Sequence, residues 1–219
     1  GVLLHHFNYY EIIRIHDIRL TTMTDEDVSM SFLPLTHVFE RAWSYYCLHK
    51  GTIVCLNLRP AEIASTIKEV RPTLMCSVPR FWEKVYAGVN EKIASESGFK
   101  RKLMLDAIRV GKIHNVDYLR VGKRPPLGNH LKYLFYEKTV YALLKKTIGL
   151  ENGKFFPVAG AAVPDEICEF CHAVGINMKV GYGLTESCAT VSCFPDDSFE
   201  LGSVGKIMPD LQVKIGENN

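Results

Sequence analysis

Short apolar runs that read as strands alternate with longer amphipathic runs that read as helices along most of the chain. "HHFNYYEIIRIHD" (5–17) has helical spacing, "DVSMSFLPL" (27–35) reads as a strand, and "THVFERAWSYYCLHKG" (36–51) as a helix ended by Gly51. "TIVCL" (52–56) is strand-like, and "PAEIASTIKEVR" (60–71) reads as a helix with proline in its first turn. The strand "PTLMCSVP" (72–79) precedes a mainly helical stretch from Arg80 to Thr147, broken near "GKRPPLGN" (122–129). The strand "KFFPVAG" (154–160), the helix "PDEICEFCHAVG" (164–175) and the strand "INMKVGYG" (176–183) come next, and "IGENN" closes the chain after another strand-like run. This alternation predicts an α/β fold with largely parallel sheets flanked by helices. Ligands of such folds bind beyond the carboxyl ends of the strands.

Composition narrows the class. With 47% hydrophobic and 23% charged residues in 219, the chain has enough apolar side chains for a sizeable core and lacks the bias of a disordered or collagenous sequence. No run reaches the roughly 18 apolar residues of a membrane span, and the opening "GVLLHHFNYY" lacks the features of a secretory signal, so the expected location is cytoplasmic. Seven cysteines, an odd and scattered set, suit reduced thiols and predict no structural disulfide. The net charge of +2 conceals a basic segment: residues 100–146 hold 12 Lys and Arg against 3 Asp and Glu. Such a segment forms solvated helix faces or meets an anionic lipid surface or phosphate-bearing ligand, and without a nucleic-acid motif no nucleic-acid partner is expected.

One motif invites a metal reading. Cys168-Glu169-Phe170-Cys171-His172 has the spacing of c-type haem attachment. Yet Pro164 opens a helix there, Asp165 and Glu166 suit its positive end, and Gly175 suits its stop. Ile167, Phe170, Cys171 and Val174 then form one buried stripe, in which cysteine acts as a small hydrophobe. No second ligand pair accompanies the motif, so no metal or haem is expected.

"VGYGLTES" (180–187) carries more chemistry. Gly181 and Gly183 flank Tyr182 at the end of a strand and are followed by Leu184, Thr185, Glu186 and Ser187. Glycines allow a tight turn and close approach to a ligand; an aromatic ring stacks on a base, a hydroxyl donates to a phosphate oxygen, and a carboxylate holds Mg²⁺. The same residues also suit an ordinary turn.

"GYGLTES" resembles the signature of the adenylate-forming acyl-CoA synthetases. "SFLPLTHVFER" (31–41) is similar to the LPL-x-H-x-x-E stretch of the long-chain fatty acyl-CoA synthetases, and "GSVGKIMPDLQVKI" (202–215) resembles the G-x-x-G-x-x-x-P run that follows. "VPRFWEKVYAGV", its helical insertion over about 80–147 and the opening "GVLLHHFN" also look like the long-chain branch, so the resemblance spans the chain. It implies part of the large domain of the luciferase-like fold, residues 1–219 belonging to one adenylation domain without its C-terminal domain. The implied activity is ATP-dependent activation of a long-chain fatty acid through an acyl-adenylate to acyl-CoA, releasing AMP and pyrophosphate. ATP, Mg²⁺ and CoA are the implied cofactor and co-substrates, with the CoA site mostly outside this chain.

By the resemblance, Tyr182 stacks on adenine, with Gly160, Ala161 and Ala162 as the backbone wall on its other side; Gly183 and Leu184 shape the turn. Thr185 binds the α-phosphate, Glu186 coordinates Mg²⁺, and His37 lines the junction of the fatty-acid carboxylate and the adenylate. Residue types alone also allow His37 to be a helix N-terminal histidine and Thr185 a cap. "AGAAVP" stands where many relatives have "GGAPLS", which preserves a backbone wall but not the side-chain contacts. The family's phosphate loop is expected before Gly1, and its ribose-binding acid and catalytic lysine after Asn219. The chain is therefore expected to be inactive alone, with exposed edges through which it self-associates. Two alternatives share these features: a relative that activates a different carboxylic acid, and a non-catalytic lipid- or nucleotide-binding module.

Overall fold

The structure is a computed structural model that describes residues 1–216. Its centre is a sheet built from local pairings. Strand β1 (Val28–Ser31) lies parallel to β2 (Ile53–Leu56), and β3 (Phe156–Val158) lies parallel to β4 (Met178–Leu184). The extended segment around Leu74 to Ser77 joins the two pairs through bridges from Leu74 to Ser29 and Phe155 and from Ser77 to Val158. It carries the expected strand 72–79 only as these bridges. Past β4 the sheet turns antiparallel, through β5 (Ala189–Cys193) and the two-residue β6 (Lys206–Ile207). The sequence reading has neither strand, and residues 211–214, just before "IGENN" where it expects a strand-like run, have no regular structure. The expected strand 27–35 shortens to Val28–Ser31, the four residues that pair with β2.

Helices cover both faces. On one side lie α1 (His6–Arg19) and α2 (Val38–His49): α2 and the segment after α1 pack over Leu74, Cys76 and Phe155 through Leu20, Met23, Trp43, Tyr46 and Cys47, while Ile12 and Ile15 of α1 pack with Ala42, Cys188, Ala189, Cys193 and Met208. On the other, α4 (Pro79–Ser95), α5 (Gly98–Gly111) and α8 (Asp165–Ala173) pack over Met75, Phe156, Val158, Met178 and Val180. Neighbours Leu74 and Met75, or Phe155 and Phe156, thus enter opposite cores, as strand alternation requires, and a strand buried on both faces reads as a continuous apolar run. Two indoles fasten the layers: Trp43 Nε1 donates to Ser29 Oγ at 3.0 Å and Trp82 Nε1 to Ser77 Oγ at 2.8 Å. The helix α3 (Ile63–Val70) follows a 3₁₀ turn at Pro60–Glu62.

Between Pro79 and Ile148 the chain is helical except at Glu96–Ser97 and over 122–126, around the prolines. After α5 come a π-helical stretch, Lys112–Tyr118, and a 3₁₀ turn; helical structure resumes with α6 (Leu127–Tyr136), a second π-helical turn and α7 (Ala142–Ile148). The stripe Ile167, Phe170, Cys171 and Val174 is buried against the core, and Gly175, at φ 74°, sits just beyond α8. Cys168 is buried as well, and the His172 ring stacks on Phe199 with centroids 3.6 Å apart, which accounts for the CxxCH residues by packing. Burial and the nearby Lys179 lower the His172 pKa to about 4, so the ring is neutral at physiological pH. All seven cysteines are free thiols.

Candidate functional site

The carboxyl ends of β3 and β4 are the hub of the site. After Val158 the chain turns at Gly160, whose φ of 93° favours a residue without a Cβ. After Val180, β4 runs on through Gly181, Tyr182, Gly183 and Leu184 and folds back into β5 through a turn at Thr185–Cys188. The Cys188 amide donates to the Thr185 carbonyl at 3.1 Å, and the Ser187 hydroxyl bonds at Leu184 and Ala189, closing the turn. Cys188 and Ala189 hold φ values of 51° and 87°, a local strain that the surrounding pairings sustain.

Gly183 is needed for the hairpin to close, and Gly181 eases the same close approach. A Cβ on Gly183 would overlap the Ala189 carbonyl, and one on Gly181 would lie 3.0 Å from the Ser192 carbonyl oxygen. The register slips between Tyr182 and Gly183: Tyr182 faces Ser192 and Gly183 faces Thr190, leaving Val191 as the extra residue of a bulge. Bulges bend a strand and re-aim its side chains. Tyr182 is 46% exposed, an aromatic ring standing at the mouth of a cleft.

Two clefts meet at this strand end, one on each side of the sheet. The first, about 310 Å³, lies on the α1–α2 side and is lined by His37, Gly160 and Tyr182 through Glu186, with Trp43, His16 and Lys179 deeper in. The second, about 440 Å³, lies on the α8 side and is lined by Gly160, Ala161, Ala162, Tyr182, Gly183 and Leu184, with Asp165 and Ser203. All nine residues singled out from the sequence therefore border one cleft or the other, though no single wall holds them all. Ala161 and Ala162 line only the second; His37, Thr185 and Glu186 line only the first. His37 is the residue before α2, and its ring makes no capping bond. Thr185 and Glu186 are exposed.

Other residues at the first cleft lie outside the motifs. His16 Nδ1 lies 2.6 Å from the Ile12 carbonyl, to which it donates; its Nε2 is then the acceptor for the Thr190 hydroxyl at 3.2 Å. Burial lowers the His16 pKa and keeps this ring neutral. Lys179 is a lysine in an otherwise apolar strand, which was the one readable signal. Its ammonium pairs with Asp196 at 2.9 Å, donates to the Pro195 carbonyl at 2.7 Å and lies 5.3 Å from the Phe155 ring centroid. Asp196 feels burial, which raises its pKa, but Lys179 and the Thr21 hydroxyl and amide outweigh it and hold the carboxyl below its ordinary value.

Glu40, in the first turn of α2, is fully buried; Val38, Phe39 and Trp43 of the same helix line the first cleft. Neither carboxyl oxygen has a well-formed hydrogen bond. Burial raises its pKa to about 7, against a smaller opposing pull from Ser31, the Leu33 amide and Ser44.

Residues 1–219 match the AMP-binding enzyme family over their whole length. The chain belongs to that family. Among curated relatives, it is 28% identical to long chain acyl-CoA synthetase 4 of Arabidopsis thaliana, covering 93% of this chain and 30% of the relative. It is 32% identical to a putative fatty-acid–CoA ligase of Mycobacterium tuberculosis, covering 86% of this chain and 33% of that protein. The chain thus spans about a third of the length of these relatives. Among solved structures, the o-succinylbenzoate CoA synthetase of Bacillus subtilis with a bound product analogue aligns with all of this chain and 34% of its own, at a TM-score of 0.65 and 17% identity. The same enzyme in complex with ATP and magnesium ion aligns at a TM-score of 0.62 and 17% identity, again over all of this chain and 34% of its own. A benzoate CoA ligase from Burkholderia xenovorans aligns over 93% of this chain and 32% of its own, at a TM-score of 0.56 and 18% identity. The fold of this AMP-binding chain is therefore that of the adenylate-forming enzymes.

Proposed function

We propose that this chain is the nucleotide-binding part of an AMP-forming ligase that activates a long-chain fatty acid and passes it to CoA. The observation that carries the reading is the meeting of two clefts at one strand end, with an exposed aromatic ring between them and a hydroxyl and a carboxylate on the next turn. The long-chain synthetases among its relatives support the acid; the family match supports the chemistry.

A carboxylate is a poor electrophile, and the proposed reaction makes it a better one in two steps. A carboxylate oxygen attacks the α-phosphorus of ATP, the bond to the bridging oxygen breaks, and pyrophosphate leaves. The CoA sulfur then attacks the acyl carbon, the thiol proton is released, and AMP departs with the electron pair of the acyl–oxygen bond. In this assignment Tyr182 holds adenine by stacking, with the backbone of Gly160–Ala162 opposite. The Thr185 hydroxyl donates to an α-phosphate oxygen, and the His37 ring stands where carboxylate and phosphate meet. Their contribution is positioning and stabilisation of charge that grows on the phosphoryl oxygens; no covalent nucleophile is required.

Glu186 is the carboxylate assigned to Mg²⁺. Among the described residues no cluster of three or more potential His, Cys, Asp or Glu ligands occurs, and one exposed carboxylate suits an ion that keeps its waters and shares phosphate oxygens. Bound there, Mg²⁺ would neutralise phosphate charge.

Tyr182→Ala in the full-length enzyme tests the assignment. Losing the stack should weaken ATP binding by about 0.5–1.5 kcal/mol and leave fatty-acid binding nearly unchanged. An unaltered ATP constant would remove the ring from the base site. Exchange of labelled pyrophosphate into ATP, compared for long-chain fatty acids and aromatic acids, tests the acid; faster exchange with aromatic acids would overturn the fatty-acid assignment.

A further inference from the structure

The basic segment has a second property that its charge alone does not reveal. On α6, Leu127, Leu131, Leu134 and Phe135 are 72%, 57%, 38% and 59% exposed, although they follow the i, i+4, i+7, i+8 spacing of a stripe that would ordinarily face a core. The opposite face of the same helix supplies the buried residues Tyr133 and Tyr136, the latter bonded through its hydroxyl to Asp106. The helix is therefore apolar on both sides, and the described residues cover only one. Leu143 of α7 and Leu105 of α5 are also exposed, at 67% and 49%.

Cations flank this stripe along the chain. Lys123 and Arg124 precede α6, Lys132 lies within it, and Lys138 and Lys146 follow; all five are exposed. None is among the ion pairs of the described residues, whose cationic partners in this part of the chain are Arg109, Lys112 and Arg120. Between 127 and 146 Glu137 is the single acid. Water alone is a poor match for four exposed large side chains on one stripe, and an acidic protein surface would satisfy the lysines but not the leucines. An interface that offers negative charge at its surface and hydrocarbon a few ångströms below satisfies both, and a helix lying in its plane buries its apolar face about 5–10 Å deep.

We propose that α6 and the basic turns on either side of it form a peripheral docking surface for an anionic lipid bilayer. Because no helix of the described residues is long and apolar enough to cross a membrane, the contact made here is lateral: leucines and Phe135 enter the acyl boundary while the lysine stems lie along it and their ammonium groups meet the headgroups. The surface rests on exposure and charge and does not depend on which acid the enzyme activates.

The test is co-sedimentation of the full-length protein with vesicles of phosphatidylcholine, with and without phosphatidylglycerol. Preferential binding to the vesicles containing phosphatidylglycerol, weakened by salt, is expected. The double variant Leu131→Asp with Phe135→Asp should lose binding by at least about tenfold, since each change replaces an anchor with a charge. Both side chains are exposed, and an unchanged circular dichroism spectrum checks that the helix persists. Lys132→Gln with Lys138→Gln, which leaves the stripe intact, should cost about 25-fold, roughly fivefold per lysine. Equal binding to both vesicle types, or equal binding by wild type and the Leu131/Phe135 variant, would overturn the proposal. So would a dimer of the wild type that the Leu131/Phe135 variant dissolves while neither protein binds lipid, which would make a second copy the occupant of the stripe.

Discussion

Glu40 offers a measurement in which a single buried carboxyl sets how stability changes with pH. Its side chain is wholly enclosed and its pKa rises from 4.5 to about 7, chiefly because burial disfavours the charged form. The folded state then holds this proton more tightly than the unfolded chain, so the contribution is fully present below pH 4.5 and is lost as pH rises through 7. At 1.36 kcal/mol for each tenfold, the interval corresponds to about 3 kcal/mol, most of it accruing between about pH 5 and pH 8. Glu40→Gln keeps the shape and cannot ionise. The stability of the Gln variant relative to the wild type should therefore increase by about 2–3 kcal/mol over that range, and the comparison cancels every other titrating group. In urea unfolding with a slope near 2 kcal/mol/M, this appears as a midpoint difference that widens by about 1 M. Parallel pH profiles for the two proteins would show that the carboxyl is not held neutral and would refute the reasoning.

Three further outcomes are expected. Gly183→Ala should destabilise the β4–β5 hairpin by about 1–3 kcal/mol and abolish tight ATP binding, because its Cβ meets the Ala189 carbonyl; a variant with wild-type melting and nucleotide titration would contradict the packing. Lys179→Met should cost about 3–5 kcal/mol in denaturant unfolding by leaving Asp196 without its countercharge and with only Thr21 bonded to it, and a loss below about 1 kcal/mol would show the pair to be solvated rather than buried. Under native alkylation, mass mapping of these seven cysteines should find Cys55 modified first, since the other six are buried. Burial also raises the pKa of Cys168 to about 12 and that of Cys171 well above its ordinary value, so rapid labelling of either would mean that α8 is not packed as described.

What the sequence by itself determined was local. The helix from Pro164 to Gly175 was legible because a proline start, acidic first turn, apolar stripe and glycine stop all act within a few residues of one another. The strand leading to Tyr182 and the break near Pro125 and Pro126 were legible for the same reason, and the roles proposed for Tyr182 through Glu186 rest on a motif contiguous in the chain. Tertiary structure decided whatever depends on distant partners. Strand β5 carries no strong alternation, and it exists because Gly181 and Gly183 let its backbone approach β4 closely. His16 reaches the cleft by bonding Thr190, 174 positions away. Glu40 looks like an ordinary first-turn helix acid until α2 docks on β1 and takes it out of water, and the α6 stripe looks like a core face, yet none of the described residues covers it. Periodicity tells which side chains share a face; only the packed chain tells whether that face meets protein, water or something else.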